Sequence, residues 1–437
     1  MLRFIWGPLR RTWLPALLLA AGGAGCSSCD PPSKVPKWHY NDADVLPAAY
    51  AGTSRLSVDI YVDATTSMAG YATSLQSVYA RFLNDLEAVA LTGFRNADVK
   101  NYKFGTTVKP ISRQAYLAAR DRSGGFYEDQ DTYQDTHIDS VIDRTDPGRL
   151  SVVITDLFQR DNDINTLVQK IKVRCFEKGV YLGIVAVPGQ FDGTVYDAHV
   201  APYAYRSTEG QPATYRPFYA LFFGHPANIA ELLAHLEARR YVQPGQALII
   251  SPYLVRSYKV QMQHAAKYFS QETNADGRPE GLDKPVRVRP AGGPAAIPLV
   301  IEYELAAHAP EFAPGQLEVR AFRRTGAREP SYDSTVTDNL VLADVRGGKG
   351  KLTATLRCNF PAEANWYSYK GYLTVARVGG LKLPAWVSRY SSENPTRDRD
   401  ANKTLNLEKF VADLLQASLS VRQPHVAKFY LTVRRPS

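Results

Sequence analysis

An α/β architecture, with a doubly wound and mostly parallel sheet followed by a smaller antiparallel β-sandwich-like domain, follows from three features of the chain. Leu56-Ser-Val-Asp-Ile-Tyr-Val-Asp63-Ala-Thr65-Thr-Ser67-Met68 reads as a strand that stops at a carboxylate, then a turn presenting two hydroxyls, then a helix. Leu150-Ser-Val-Val-Ile-Thr155-Asp156 is a second apolar run of strand length that also ends in a carboxylate. Past about residue 285 the apolar spacing changes from helical to period two, the mark of strands with one buried face.

Taken in order, Leu75, Val78, Tyr79, Phe82, Leu83, Leu86 and Val89 recur at helical spacing and form a core face, with Gln76, Arg81 and Asp85 opposite. A strand over 99–106 and a short helix over 116–122 follow, then a polar, acidic loop over 124–135. A helix starts at 137–143, and another runs over about 164–178, with Leu167, Val168, Ile171 and Phe176 inward and Gly179 at its C′ position. Residues 180–187 form a buried strand stopped by Pro188-Gly189. Strands separated by helices predict parallel pairing through right-handed crossovers. A further strand–helix–strand unit (218–223, 228–238, 247–253) extends the same sheet, and the Tyr-rich stretch 194–217 ahead of it reads as an insertion near the binding face. Asp59 falls inside the leading strand, a position that points to an edge or to a contact behind the site.

This α/β domain spans 54–270. Residues 271–296, rich in Gly, Pro and charge, read as a linker. In 297–437 the strand candidates are 297–305, 316–322, 351–358 and 371–378, with a late helix over 407–417 and a closing strand over 426–433.

Asp63, Thr65 and Ser67 alternate, so their oxygens can converge in an open turn. Hard cations take roughly six oxygen ligands, Mg²⁺ at about 2.1 Å. The run resembles the D-x-S-x-S metal-ion-dependent adhesion site of von Willebrand factor A domains, with Thr65 in place of a Ser. Gln134-Asp135-Thr136-His137-Ile138 looks like that family's second loop, and Thr155-Asp156 like its later strand end. Gln134-Asp135 stands where Gly-Gly is frequent, and Leu157 where a Gly commonly follows the Asp. The resemblance implies Asp63, Thr65, Ser67, Thr136 and Asp156 as the ligands of Mg²⁺ (or Mn²⁺ or Ca²⁺), with the two carboxylates acting partly through water. A cation held mainly by neutral oxygens then accepts an acidic side chain from a protein partner. Capping is the competing account: Asp63 or Thr136 would satisfy free N–H groups at a helix start. Asp156, at the end of an apolar strand, fits capping less well.

The first 25 residues read as a targeting segment and are left out of fold reasoning. Arg3, Arg10 and Arg11 flank a short apolar run over 13–21, too short to span a bilayer. Gly23-Ala24-Gly25-Cys26 resembles a bacterial lipoprotein cleavage box, which implies a lipid on Cys26 and an envelope location, with ordinary secretion the alternative. Ser27 implies the outer membrane, and residues 26–50 read as a tether. Without the three arginines of the leader, the formal charge falls from +9 to +6, and the remaining charges are interspersed. No basic stripe with stacking aromatics is present, which argues against nucleic acid as a partner. An exported protein sits where disulfides form, but Cys175 and Cys358 read as buried free thiols, with pairing between them the alternative.

The sequence holds no H-E-x-x-H, G-x-S-x-G or complete phosphate loop, which points to a binding protein and not an enzyme. Gly347-Gly-Lys-Gly-Lys351 reads as a hairpin turn, and the acidic stretch Glu128, Asp129, Asp131 and Asp135 as a solvated loop. Three functions follow: a lipid-anchored envelope protein that binds a partner through the metal site, a metal-free structural or assembly component of an envelope complex, or a metal-dependent hydrolase using the same carboxylates. The leader makes one testable statement. Intact-mass spectrometry of protein extracted from membranes should find a chain that begins at a lipid-bearing Cys26; an unmodified mass or a retained Met1 would refute it.

Overall fold

The computed structural model describes residues 56–434, except 95–96, 129–134, 158–163, 197–200, 244, 265–266, 270–271, 274–278, 281–285, 288–294, 325–334, 360–365 and 394–400. The leader, the tether, Cys26 and Cys29 lie outside the described residues, as do most of the 271–296 linker and Asp129 and Asp131 of the acidic loop.

The chain opens with β1 (Ser57–Asp63), α1 (Thr66–Ala69), α2 (Val78–Thr92), β2 (Asp98–Phe104), β3 (Val108–Ile111) and α3 (Arg113–Ala118). It continues with α4 (Ile138–Ile142), β4 (Arg149–Thr155), α5 (Ile164–Arg174), β5 (Tyr181–Gly189), the hairpin β6 (Asp192–Val195) and β7 (Tyr203–Arg206), β8 (Arg216–Gly224), α6 (Pro226–Ala238) and β9 (Ala247–Ile250). Ser77 caps α2 by accepting the Ala80 N–H at 3.1 Å. Gly179 takes φ 76°, as its place after the helix predicts. Leu75, expected on the core face of α2, instead lies before the helix and is half exposed, because the helix starts only at Val78.

Seven strands form one sheet in the order β3-β2-β1-β4-β8-β5-β9. β1 pairs in parallel with β2 and β4, and β5 runs in the same direction, so the core of the sheet is parallel. The sheet is nonetheless mixed: its core matches the expected mostly parallel pairing, but the crossovers into β8 and β9 are not the parallel ones expected. β8 runs antiparallel between β4 and β5, and β9 and β3 run antiparallel at the edges. The cause lies after Pro188: the β6–β7 hairpin turns the chain back, so β8 returns alongside β5. All nine residues of β8 are buried, which suits a strand covered on both faces.

Helices cover both faces. On one, the even-numbered side chains Leu56, Val58, Ile60 and Val62 pack with α2 and α6. On the other, Tyr61 and Val153 pack with α4 and α5. Asp59, unexplained by the sequence, is 4% exposed and receives Arg149 from the start of β4, Nε to Oδ2 at 2.7 Å with Nη2 on Oδ1. It thus ties the entry ends of the two central strands.

The rest of the chain adds two five-stranded sheets. Val255–His264, Ala295–Leu305, Lys351–Cys358 and Leu340–Gly348 build the first with Lys267–Phe269, all antiparallel. Leu317–Arg324, Trp366–Val375 and His425–Arg434 are the antiparallel centre of the second. Alternate apolar side chains of both sheets enter one cluster, and that cluster also contains α4, α5, α7 (Ala385–Arg389) and the late helix, α8 (Leu407–Val421). α8 lays Phe410, Val411, Leu414 and Leu415 inward and packs on α5. Each such side chain contributes about 1.5–3 kcal/mol when fully buried. Gly347–Lys351 forms the turn of a hairpin, as read. Cys175 and Cys358 are both buried free thiols.

The Asp59–Arg149 pair yields a stability test. Removing Arg149 leaves the buried Asp59 carboxylate without its partner, so Arg149→Met should cost about 3 kcal/mol in urea unfolding. The double change Asp59→Ala/Arg149→Met should recover much of that loss.

Candidate functional site

Three loops leave the carboxyl ends of β1, β2 and β4 on one rim of the sheet, where open α/β sheets hold ligands. The first is pinned by the Ala64 N–H donating to the Phe104 carbonyl at 2.8 Å, and the loop before α4 by the His137 N–H donating to the Gly105 carbonyl at 3.2 Å. Asp63, the last residue of β1, is fully buried. Its Oδ1 accepts the Thr65 N–H at 3.0 Å and the Thr65 hydroxyl at 2.7 Å. Its Oδ2 accepts the Thr136 hydroxyl at 3.0 Å and the Thr155 hydroxyl at 2.9 Å. The Ser67 Oγ lies 3.1 Å, and the Thr136 Oγ1 3.3 Å, from the Thr65 Oγ1.

Four of the five expected residues therefore meet directly: Asp63, Thr65, Ser67 and Thr136. The fifth, Asp156, is 2% exposed and follows β4. It acts on Asp63 through charge. Burial pushes the Asp63 carboxyl up to about 7, the Asp156 carboxylate adds to the rise, and hydrogen bonds from Thr65 and Thr155 oppose it. Helix capping does not account for these side chains. The N-cap of α1 is Thr65 and that of α4 is His137, and neither makes a side-chain capping bond.

The sequence reading did not assign a role to Thr155, although its signal lay in the same Thr-Asp pair. Its hydroxyl donates to Asp63 and accepts the Leu157 N–H at 3.2 Å. Arg216 and Tyr71 were also missed. Arg216 is 1% exposed at the start of β8, and the Tyr71 hydroxyl donates to the Pro217 carbonyl at 2.7 Å. Neither carries a local motif, because β8 reaches the rim only through the sheet topology. The β6–β7 hairpin, read as an insertion near the binding face, sits against α1. The Asp192 N–H donates to the Gly70 carbonyl at 2.8 Å, and a Cβ on Gly70 would collide with the Phe191 ring.

The donor set fits a hard cation. An octahedron with metal–oxygen distances of about 2.1 Å has edges of about 3 Å, and the oxygens of Asp63, Thr65, Ser67 and Thr136 are spaced by 2.7–3.3 Å. Among the described residues no group of three or more His, Cys, Asp or Glu side chains converges, so any cation here would be held by two carboxylates and hydroxyls. Comparison with family models, with curated proteins and with solved structures returns no match to this chain.

Leu157 generates a test of the rim's backbone. It takes φ 62°, a left-handed conformation that costs a residue with a Cβ about 1–2 kcal/mol. Leu157→Gly should therefore be more stable than Leu157→Ala by about 1 kcal/mol in urea titration. At an ordinary loop position Gly would be the less stable of the two.

Proposed function

We propose that this chain is a lipid-anchored protein of a bacterial envelope whose α/β domain is of the von Willebrand factor A type, and that it binds a protein partner through a divalent cation at Asp63, Thr65, Ser67, Thr136 and Asp156. The observation that supports this reading most is the convergence of hydroxyls from two loops on one buried carboxylate. A divalent cation at that point would be a ligand common to both loops. When bound, a divalent cation supplies an open coordination position for an acidic side chain. Asp63 and Thr65 orient the first loop, Thr136 closes the set from the second, and Asp156 adds the second negative charge. Three of the five ligands are neutral hydroxyls, and in this reading the two carboxylates act partly through water, so the cation stays a strong Lewis acid at its open position, which suits recognition of a carboxylate. Among the described residues no helix is long and apolar enough to cross a membrane; the anchor in this reading is the lipid on Cys26.

One observation favours the metal-free assembly component instead. Asp63 already accepts three hydroxyls and an amide, so the network is satisfied by protein groups alone. Melting curves with Mg²⁺, Mn²⁺, Ca²⁺ and chelator separate the two. At free metal 100 times its dissociation constant, linkage adds about 2.7 kcal/mol to the native state, or a rise of several degrees at about 2–4 °C per kcal/mol. Asp63→Ala or Asp156→Ala should abolish the rise, and Ser67→Ala should reduce it less, since water replaces a neutral ligand. A flat wild-type response to all three ions leaves the assembly reading.

The pH dependence has a definite sign. Asp63 must lose its proton to serve as a ligand, and burial has moved its pKa up to about 7. Protons therefore compete with the cation below that value, and Mg²⁺ affinity measured by calorimetry should fall steadily from about pH 8 to about pH 6. An affinity constant over that range would contradict Asp63 as a ligand.

A further inference from the structure

We propose that Arg216 is a positioning residue that couples the Asp63–Asp156 site to residues 401–404 of the C-terminal half, so that neutralising the two carboxylates loosens that segment. The proposal deepens the cation reading by naming what the site regulates, and it rests on that reading for its ligand. Arg216 is among the largest fully buried side chains. Its Nη1 donates to the Ala401 carbonyl at 2.8 Å and approaches the Lys403 carbonyl at 3.3 Å. Two neutral carbonyls do not offset the desolvation of a guanidinium; a buried cation needs negative charge close by.

Asp156 is placed to supply it, and Asp63 is linked to Asp156 by charge. Tyr219, three residues after Arg216 on β8, pairs in register with Thr155, the neighbour of Asp156. Its hydroxyl is 2.8 Å from the Thr404 hydroxyl, so one side chain joins the segment to β8, the strand paired with the end of β4 at the site. On the other side of β8, Tyr71 bonds the Pro217 carbonyl. Burial raises the phenol pKa of both tyrosines; Arg216 lowers each and Asp156 raises each, as expected if guanidinium and carboxylate lie close to the same two rings. The segment is held further by the Asn402 Nδ2, which donates to the Ala213 carbonyl at 2.8 Å. The Thr404 and Asn406 N–H groups donate to the Tyr390 and Ser392 carbonyls at 2.7 and 2.8 Å. These two amides report on whether it is seated.

The charge argument sets the direction. Two carboxylates and one guanidinium leave the site negative, and this holds Arg216 inside. A dication at the carboxylates reverses the balance and loss of one carboxylate cancels it, and each weakens the hold on Arg216 and on the carbonyls it grips.

Hydrogen exchange of the full chain tests this. Asp156→Asn should speed exchange at the Thr404 and Asn406 amides on the order of tenfold (about 1.4 kcal/mol), and Asp63→Asn should act in the same direction if the first variant folds poorly. Tyr219→Phe, which removes only the Thr404 bond, should also loosen them. Mg²⁺ added to the wild type should slow exchange at Thr65 while speeding it at Thr404 and Asn406, a divergence that a purely structural Arg216 would not produce. In Arg216→Met the two reporter amides should exchange fast and ignore Mg²⁺. Wild-type exchange at both amides in the Asp156→Asn and Asp63→Asn proteins overturns the coupling. If Mg²⁺ alters no amide in the wild type while Asp156→Asn still loosens the segment, the cation reading fails and the coupling stands.

Discussion

The carboxyl of Asp63 has no exposed surface, and the site is built around that fact. A carboxyl taken out of water at the end of an apolar strand must be surrounded by donors or by positive charge. Here the donors are the Thr65 amide and the hydroxyls of Thr65, Thr136 and Thr155, drawn from the ends of β1 and β4 and the loop before α4. Because Thr136 is 73 residues away, the demand of one side chain fixes how separate loops meet. The same burial raises the Asp63 pKa against the pull of those donors, and the donors form an oxygen cluster of the size a hard cation takes.

β8 is the second determinant. Its antiparallel insertion beside β4 brings a fully buried arginine to the rim that carries Asp63 and Asp156. The insertion is possible because the hairpin after β5 reverses the chain, and because the strand is apolar enough to be covered on both sides. The hairpin is in turn held to α1 by the Asp192–Gly70 hydrogen bond and by the Phe191 ring, which would have to shift to make room for a Cβ at position 70. Site, hairpin and buried strand thus form one assembly and not a domain with an appendage.

The C-terminal half takes part in the same assembly. α8 covers α5, the two five-stranded sheets share an apolar cluster with that face, and residues 401–404 reach the rim through Arg216 and Tyr219. The rim is therefore a surface to which both halves of the chain contribute.

What the sequence determined by itself is local. Strand ends at Asp63 and Asp156, the hydroxyls at Thr65, Ser67 and Thr136, and the helical faces of α2, α5, α6 and α8 are legible because apolar periodicity and short motifs act over a few residues. The period-two stretches marked most of the long strands of the C-terminal half for the same reason, while the long strands Val255–His264 and Leu340–Gly348, set among polar side chains, and the two- and three-residue strands carried no such pattern. Only the tertiary structure decided the direction and place of β8, the partner of Asp59, the role of Thr155 and the burial of Arg216. Strand order depends on which way a hairpin turns the chain, and a buried charge is stable only through groups brought together from up to 187 positions away. No pattern within a segment encodes either. The left-handed backbone at Leu157 belongs with these, since a leucine gives no sign of φ 62° until the rim around it has formed.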